Sequence, residues 1–163
     1  MKVGIFIGSD SDFPIVEDAL HLMKRFGVDF GLEVTSAHRS PERTKRLIQD
    51  YEKNGAVVFI AVAGKAAHLA GVVASHTTRP VIGVPVGGSG LGGLDALLST
   101  SQMPKGIPVA CMGIGKSGAS NAALLAIQIL ALAVPELEEK LKDYRSKMAK
   151  NVEVTSQKIQ DKL

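Results

Sequence analysis

Apolar and polar positions along the 163-residue chain follow two alternating rhythms. Short unbroken apolar runs at 3–7, 56–63 and 81–86 read as strands buried on both faces. Segments 28–35 and 108–114 complete a set of five. Between them the apolar spacing switches to three and four. Ile15, Val16, Ala19, Leu20, Leu22 and Met23 predict a helix over 13–26, ended by Gly27. Ser40 and Pro41 predict an N-cap and first helical position for a helix to Lys53, with Asn54-Gly55 as its stop. Further helices are predicted from Gly64 to near His76, over 94–101 and over 117–133. After Pro135, Leu137, Leu141, Tyr144, Met148 and Val152 mark one face of an amphipathic helix.

Five strand–helix units in succession imply an α/β fold. The expected architecture is a flavodoxin-like three-layer sandwich, a parallel five-stranded sheet of order 2-1-3-4-5 with an extra C-terminal amphipathic helix. Residues 1–134 are expected to form the α/β catalytic domain. Residues 135–163 are expected to form a helix that packs on a neighbouring subunit. Ligands of such sheets bind where the strands' carboxyl ends meet a topological switch point, which directs attention to 8–12, 36–39, 64–68, 87–93 and 113–118.

Charge narrows the picture. The net charge is +3, from 19 Lys and Arg against 16 Asp and Glu. Basic and acidic residues interleave, and no aromatics alternate with the basic ones to stack bases, so a nucleic-acid partner is not expected. A mildly positive field suits a small phosphorylated ligand. Between Asn54 and Pro104 only Lys65, Arg79 and Asp95 are charged, so this stretch is expected to wall a pocket and make subunit contacts. The neutral run 117–135 is broken by Asn121 and Gln128 and is short for a membrane span, so no membrane association is expected. A strand beginning at Val3 leaves no room for a signal peptide, and the expected location is the cytoplasm. The one cysteine, Cys111, lies within an apolar strand and reads as a packed thiol. Neither CxxC nor HExxH occurs, so no zinc site is expected.

Three motifs mislead. Gly88–Gly93 and Gly113–Gly118 match GxGxxG. Neither lies in the first strand–helix turn or has the acidic residue about 20 positions on that a dinucleotide site uses. Gly115-Lys116-Ser117 resembles a P-loop end, but the required earlier glycine is Ala110. A response-regulator reading lacks its acceptor aspartate, because strand three ends Ala61-Val62-Ala63-Gly64.

Two loops carry the chemistry. Gly8-Ser9-Asp10-Ser11-Asp12 closes the first strand and opens a helix. Its backbone N–H groups attract an anion, and Ser9 and Ser11 add hydroxyls. Asp12 either accepts from ribose hydroxyls or caps the helix. Ser36-Ala37-His38-Arg39-Ser40-Pro41 ends the neighbouring strand. Arg39 offers a planar fork to phosphate, and His38 is a candidate proton donor and acceptor. His21 and His76 fall on helices with no partner pattern and read as structural or exposed.

These loops, with Ala66-Ala67-His68-Leu69, Gly93-Leu94-Asp95-Ala96-Leu97-Leu98-Ser99, Gln102-Met103-Pro104 and 114–130, resemble the 5-(carboxyamino)imidazole ribonucleotide mutase family (PurE, mutase class). The resemblance runs in order through Ala133. It implies an isomerase of purine biosynthesis that moves a carboxyl group from an exocyclic nitrogen to imidazole carbon four, through transient carbon dioxide. It implies His38 as the catalytic proton-transfer residue. It implies substrate binding by Ser9, Asp12 and Arg39, with Ser11 in the same loop; Ser36, Gly64, Lys65 and His68, at the neighbouring strand ends, are the further candidate substrate-binding residues. It implies no metal, no organic cofactor, and a homo-octamer with sites completed by neighbours. His68 either lies against substrate or shapes its loop, and Asp95 either faces the helix dipole or holds the Gly-rich loop. The chain departs from the family pattern at Val62, Lys65 and Ala70, where Gly, Gly and Pro are usual, and at Gly87-Gly88, where Gln-Ser is usual. Relatives that carboxylate aminoimidazole ribonucleotide directly carry a basic residue at the place of Lys65, so Lys65 reads either as a solvated loop lysine or as a determinant of substrate. Two alternatives stand beside the mutase: such a carboxylase, and an inactive nucleotide-binding paralogue.

Overall fold

In the computed structural model, which describes residues 2–163, the apolar runs become the centre of a parallel sheet. β1 (Lys2–Ile7), β3 (Ala56–Gly64) and β4 (Val81–Val86) lie side by side, flanked by β2 (Asp29–Val34) and β5 (Ala110–Cys111). The order is β2-β1-β3-β4-β5 and every pairing is parallel, as the alternating pattern predicts. The registers align the strands' carboxyl ends: Ile7 faces Val34 on one side and Val62 on the other, and Gly64 faces Val86. The four loops that follow these ends therefore open along one edge of the sheet.

Alternating side chains build a layer on each face. Phe6 and Phe59, both fully buried, stack 5.6 Å apart, with Tyr51 edge-on to Phe6 at 5.5 Å. Ile48 of α2 (Pro41–Lys53) and Val73 of α3 (Leu69–Ser75) pack into this cluster. Each buried phenylalanine contributes roughly 1.5–3 kcal/mol. Ile5, Ile7, Val58 and Ile60 take the alternate positions and are equally buried. α1 (Phe13–Phe26) buries Val16, Ala19, Met23 and Phe26 at helical spacing. It ends at Gly27, whose left-handed φ of 73° turns the chain so that Val28 N–H reaches Met23 O at 2.9 Å, a conformation glycine adopts without a Cβ penalty. α4 (Leu94–Ser101) packs against β4, and α5 (Lys116–Ala131) follows β5 in the chain.

Two elements differ from the sequence expectation. The fifth strand, predicted over 108–114, pairs only at Ala110 and Cys111. Pro108 has no N–H. Pro85 on β4 lacks one on the side facing β5, so only its carbonyl is available, accepting from Gly115 N–H at 2.9 Å. The third helix, predicted from Gly64, begins at Leu69. Residues 65–68 instead form tight turns, with Ala67 N–H donating to Lys65 O and His68 N–H to Ala66 O.

The chain divides into one unit that ends at Ile127 and a second from Gln128 to Leu163. The second unit is dominated by α6 (Pro135–Gln160), with proline in its first turn and Glu136 and Glu138 at its positive end. Lys142 bridges Glu138 and Glu139 at 3.0 and 2.8 Å, and Lys147 bridges Asp143 at 2.6 Å. Leu137 and Leu141 are buried, whereas Met148 and Val152 on the same stripe are 43% and 70% exposed. Among the described residues no helix is long and apolar enough to cross a membrane.

Candidate active site

The aligned strand ends enclose a cavity of about 790 Å³, lined by the loops after β1, β2, β3 and β4. Ser9, Ser11, Asp12, Ser36, His38, Arg39, Gly64, Lys65 and His68, all singled out from the sequence, line it together. Ala37, Ala63, Ala66, Leu69 and Val86 supply a small, largely apolar floor that the sequence reading did not name residue by residue. The signal for these was present: they sit next to the polar motif residues or end strands.

The first loop is a 3-10 turn, Asp10–Asp12, running into α1. Asp12 precedes the helix but its side chain makes no capping bond, which removes the capping reading. Only 9% exposed, Asp12 has its carboxyl held above the usual range by burial and by the nearby Asp10 charge, opposed by hydrogen bonds from backbone N–H groups of Ser9 and Gly8. Asp10 was missed as an organiser. It accepts from the Ser9 hydroxyl at 2.9 Å and Ser11 N–H at 3.0 Å, and these bonds hold its carboxyl below the usual range. The Ser11 hydroxyl in turn donates to Ser9 Oγ at 3.0 Å. Both serine protons are thus directed within the loop.

The second and third loops bring two imidazoles together. His38 Nε2 lies 2.7 Å from His68 Nδ1, with the rings edge-to-face at 4.9 Å. One ring donates and the other accepts, so the bond requires at least one unprotonated nitrogen. His68 is therefore joined to His38, thirty residues away in the chain. Arg39 reaches across to Gly8 O at 3.3 Å, tying the second loop to the first. Ser40 sits at the predicted cap position of α2, yet its side chain does not cap the helix and turns back to Ser36.

Lys65 has φ of 56°, making it the one non-glycine residue with positive φ among the described residues. Its side chain is exposed at the cavity. Gly87 and Gly88 complete the lining. Their loop folds so tightly that a Cβ on Gly93 would stand 3.0 Å from Gly87 Cα, and Gly93 adopts φ of 94°. Asp95 secures this loop: it accepts from the Ser89 hydroxyl at 2.7 Å, while Ser89 Oγ accepts from Leu91 N–H at 3.2 Å. Cys111 is half-buried outside the cavity, and burial pushes its thiol up. Among the described residues no three His, Cys, Asp or Glu side chains converge as a metal-binding group.

The cavity thus sets two cationic side chains and an imidazole pair against one buried carboxyl over a floor of small residues. That combination suits an anionic ligand carrying hydroxyls and a proton-transfer step.

Comparison with known proteins gives the family. Residues 2–151 match the family model described as AIR carboxylase. A Pyrococcus abyssi protein named N5-carboxyaminoimidazole ribonucleotide mutase is 54% identical over 147 residues, covering 90% of this chain and 83% of that protein. An Escherichia coli protein of the same name is 47% identical, covering 88% of this chain and 85% of that one. The crystal structure of Treponema denticola PurE superposes with a TM-score of 0.84 at 29% identity, covering 93% of each chain. With the family model spanning nearly the whole chain and these relatives matching along it, this chain belongs to the AIR carboxylase family.

Proposed function

We propose that this protein interconverts 5-(carboxyamino)imidazole ribonucleotide and 4-carboxy-5-aminoimidazole ribonucleotide in purine biosynthesis. The observation that carries the reading is the His38–His68 pair, 2.7 Å apart over an alanine-lined floor, with Arg39 beside it. The names of its relatives support the same substrate.

Ser9, Ser11 and Arg39 hold the phosphate, aided by the N–H groups at the start of α1. Phosphate binding draws the Ser9 hydroxyl away from Asp10 and the Ser11 hydroxyl away from Ser9. Asp12 accepts from ribose hydroxyls, and Ser36 and Gly64 border the ring. His38 gives a proton to the carbamate nitrogen, and the N–C bond breaks to release carbon dioxide. The ring's carbon four attacks that carbon dioxide, forming the new C–C bond. Carbon four then returns its proton to His38, so the cycle consumes none. The small apolar floor keeps carbon dioxide beside carbon four between the two steps. His68 fixes the His38 ring, and Lys65 faces the migrating carboxyl group.

The protein acts in the cytoplasm as a homo-octamer whose sites are completed by neighbouring subunits. Residues 1–134 form the catalytic domain, and the helix of 135–163 packs on an adjacent subunit. The exposed apolar stripe of α6 at Met148 and Val152 supports that arrangement.

The test supplies purified protein with either the carbamate ribonucleotide or aminoimidazole ribonucleotide plus bicarbonate, and follows the carboxylated product. Conversion of the carbamate is expected, abolished in His38→Asn with ligand binding retained. Use of the second substrate pair alone would make the protein a direct carboxylase. No product from either would make it a binding protein. Unimpaired turnover in His38→Asn would overturn the proton-transfer role.

A further inference from the structure

Beneath the loop that carries His38 and Arg39 lies a buried chain of hydroxyls that none of the steps above uses. Thr44, on α2, is fully buried and Thr35, at the end of β2, is 3% exposed. Their hydroxyl oxygens are 2.8 Å apart. Thr35 Oγ1 also lies 3.4 Å from Ser40 Oγ. Ser40 Oγ accepts from Ser36 N–H at 3.0 Å and donates to Ser36 O at 3.2 Å. Thr44 Oγ1 donates to Ser40 O at 3.2 Å, with Ser36 O at 3.5 Å. The Ser36 hydroxyl accepts from Arg39 N–H at 3.2 Å. One proton assignment gives each of the three hydroxyls an acceptor: Thr35 donates to Thr44, Thr44 to Ser40 O, and Ser40 to Ser36 O, which leaves the longer Thr35–Ser40 approach as a contact without a proton.

The ring of bonds closes around residues 36–40. Both ends of this five-residue loop are held by side chains in addition to the backbone bond from Ser40 N–H to Ser36 O at 3.0 Å, and the two deepest holders are threonines, one just after β2 and one on α2. A polar cluster this buried is rigid when fully bonded and unstable when half-bonded. Nothing about the packing of β2 on α2 requires hydroxyls there, since valine has the same shape. What the hydroxyls do specify is the height and tilt of the loop, and hence where His38 meets His68.

We propose that Thr35 and Thr44 are positioning residues for proton transfer, acting through Ser36 and Ser40 to set the His38 ring. The proposal rests on the isomerase reading above. Displacing a reacting group by about 1 Å costs on the order of 100-fold in rate, so a partial loss of this scaffold should lower kcat by about tenfold. Ser9, Ser11 and Asp12 stand on another loop, and the Arg39 guanidinium is tied to Gly8, so the loss should fall mainly on kcat, with a smaller rise in KM through Arg39 and Ser36.

Three variants separate positioning from stability: Thr44→Val, Thr44→Ser and the double Thr35→Val/Thr44→Val. Thr44→Val leaves the Thr35 hydroxyl without its nearest partner and should lower both the melting temperature and kcat. Thr44→Ser keeps the hydroxyl and should restore kcat. The double variant removes both hydroxyls together, so its melting temperature should return towards that of the wild type while kcat stays low. The imidazole 15N resonances of His38 and His68 should shift in both valine variants and return in Thr44→Ser. Recovery of kcat along with melting temperature in the double variant would overturn the proposal, as would full kcat in Thr44→Val. If the wild type turns over no ribonucleotide, the isomerase reading fails on its own. The imidazole resonances then decide the positioning role: unchanged resonances in both valine variants overturn it, and shifted ones support it.

Discussion

Replacing Lys65 by glycine should make the protein more stable and less effective at once. Lys65 sits at φ of 56°, the left-handed region where an L side chain costs about 1–2 kcal/mol. Glycine removes that cost but adds unfolded-state freedom worth about 0.5–1 kcal/mol. The side chain is exposed, so little buried surface is lost. The turn bond from Ala67 N–H to Lys65 O uses only backbone and remains. The net gain is up to about 1.5 kcal/mol, or up to about 6 °C in melting temperature for a chain of this size. Function should move the other way. The Lys65 ammonium lines the cavity, and its loss should raise KM for the carbamate ribonucleotide by about two- to fivefold, the range of an exposed ion pair. Lys65→Met provides the control, because it discards the charge and keeps the strained backbone. It should match the KM of Lys65→Gly without the gain in melting temperature. Calorimetry and steady-state kinetics on the three proteins decide the matter. A Lys65→Gly protein that melts below the wild type refutes the strain argument. Unchanged KM in both variants refutes the role of the charge.

Asp12→Asn should raise the melting temperature at pH 7 and weaken ligand binding. Burial raises the native Asp12 value, so its contribution is full below the ordinary carboxylate range and is lost as pH rises through the native value. The advantage of the variant should therefore vanish below about pH 4, and parallel melting curves from pH 3 to 8 would contradict this account. Ser89→Ala removes both bonds that secure the Gly-rich loop to Asp95 and Leu91, so hydrogen exchange at 87–93 should accelerate while the melting temperature changes by under about 3 °C. Unaltered exchange would mean that the close approach of Gly93 to Gly87 holds the loop instead.

The strand–helix order, the parallel sheet and the four loops at its carboxyl edge were legible in the chain because each depends on local periodicity. Continuous apolar runs specify strands covered on both faces, and the three-to-four spacing of α1 and α2 specifies one buried stripe each. The short β5 was also written in the sequence, in Pro85 and Pro108. It becomes readable only once one knows that Pro85 turns its missing donor towards that strand. The late start of α3 follows from the conformation of Lys65, which a residue type other than glycine does not announce.

The candidate site shows the same division. Its residue types, and their places in four separate loops, were fixed by the chain, since a loop after a parallel strand must open at the strand's carboxyl end. Tertiary structure alone decided the pairs. His38 meets His68 across thirty residues, Arg39 meets Gly8 across thirty-one, and Thr35 meets Thr44 beneath the loop between them. It also decided that Asp12 is buried and its side chain caps no helix, and that Asp10 is the residue engaged by the serines. The physical reason is range. Periodicity and turn chemistry act over a few residues, whereas hydrogen-bond partners and desolvation depend on which loops the sheet's register brings within hydrogen-bonding distance of one another.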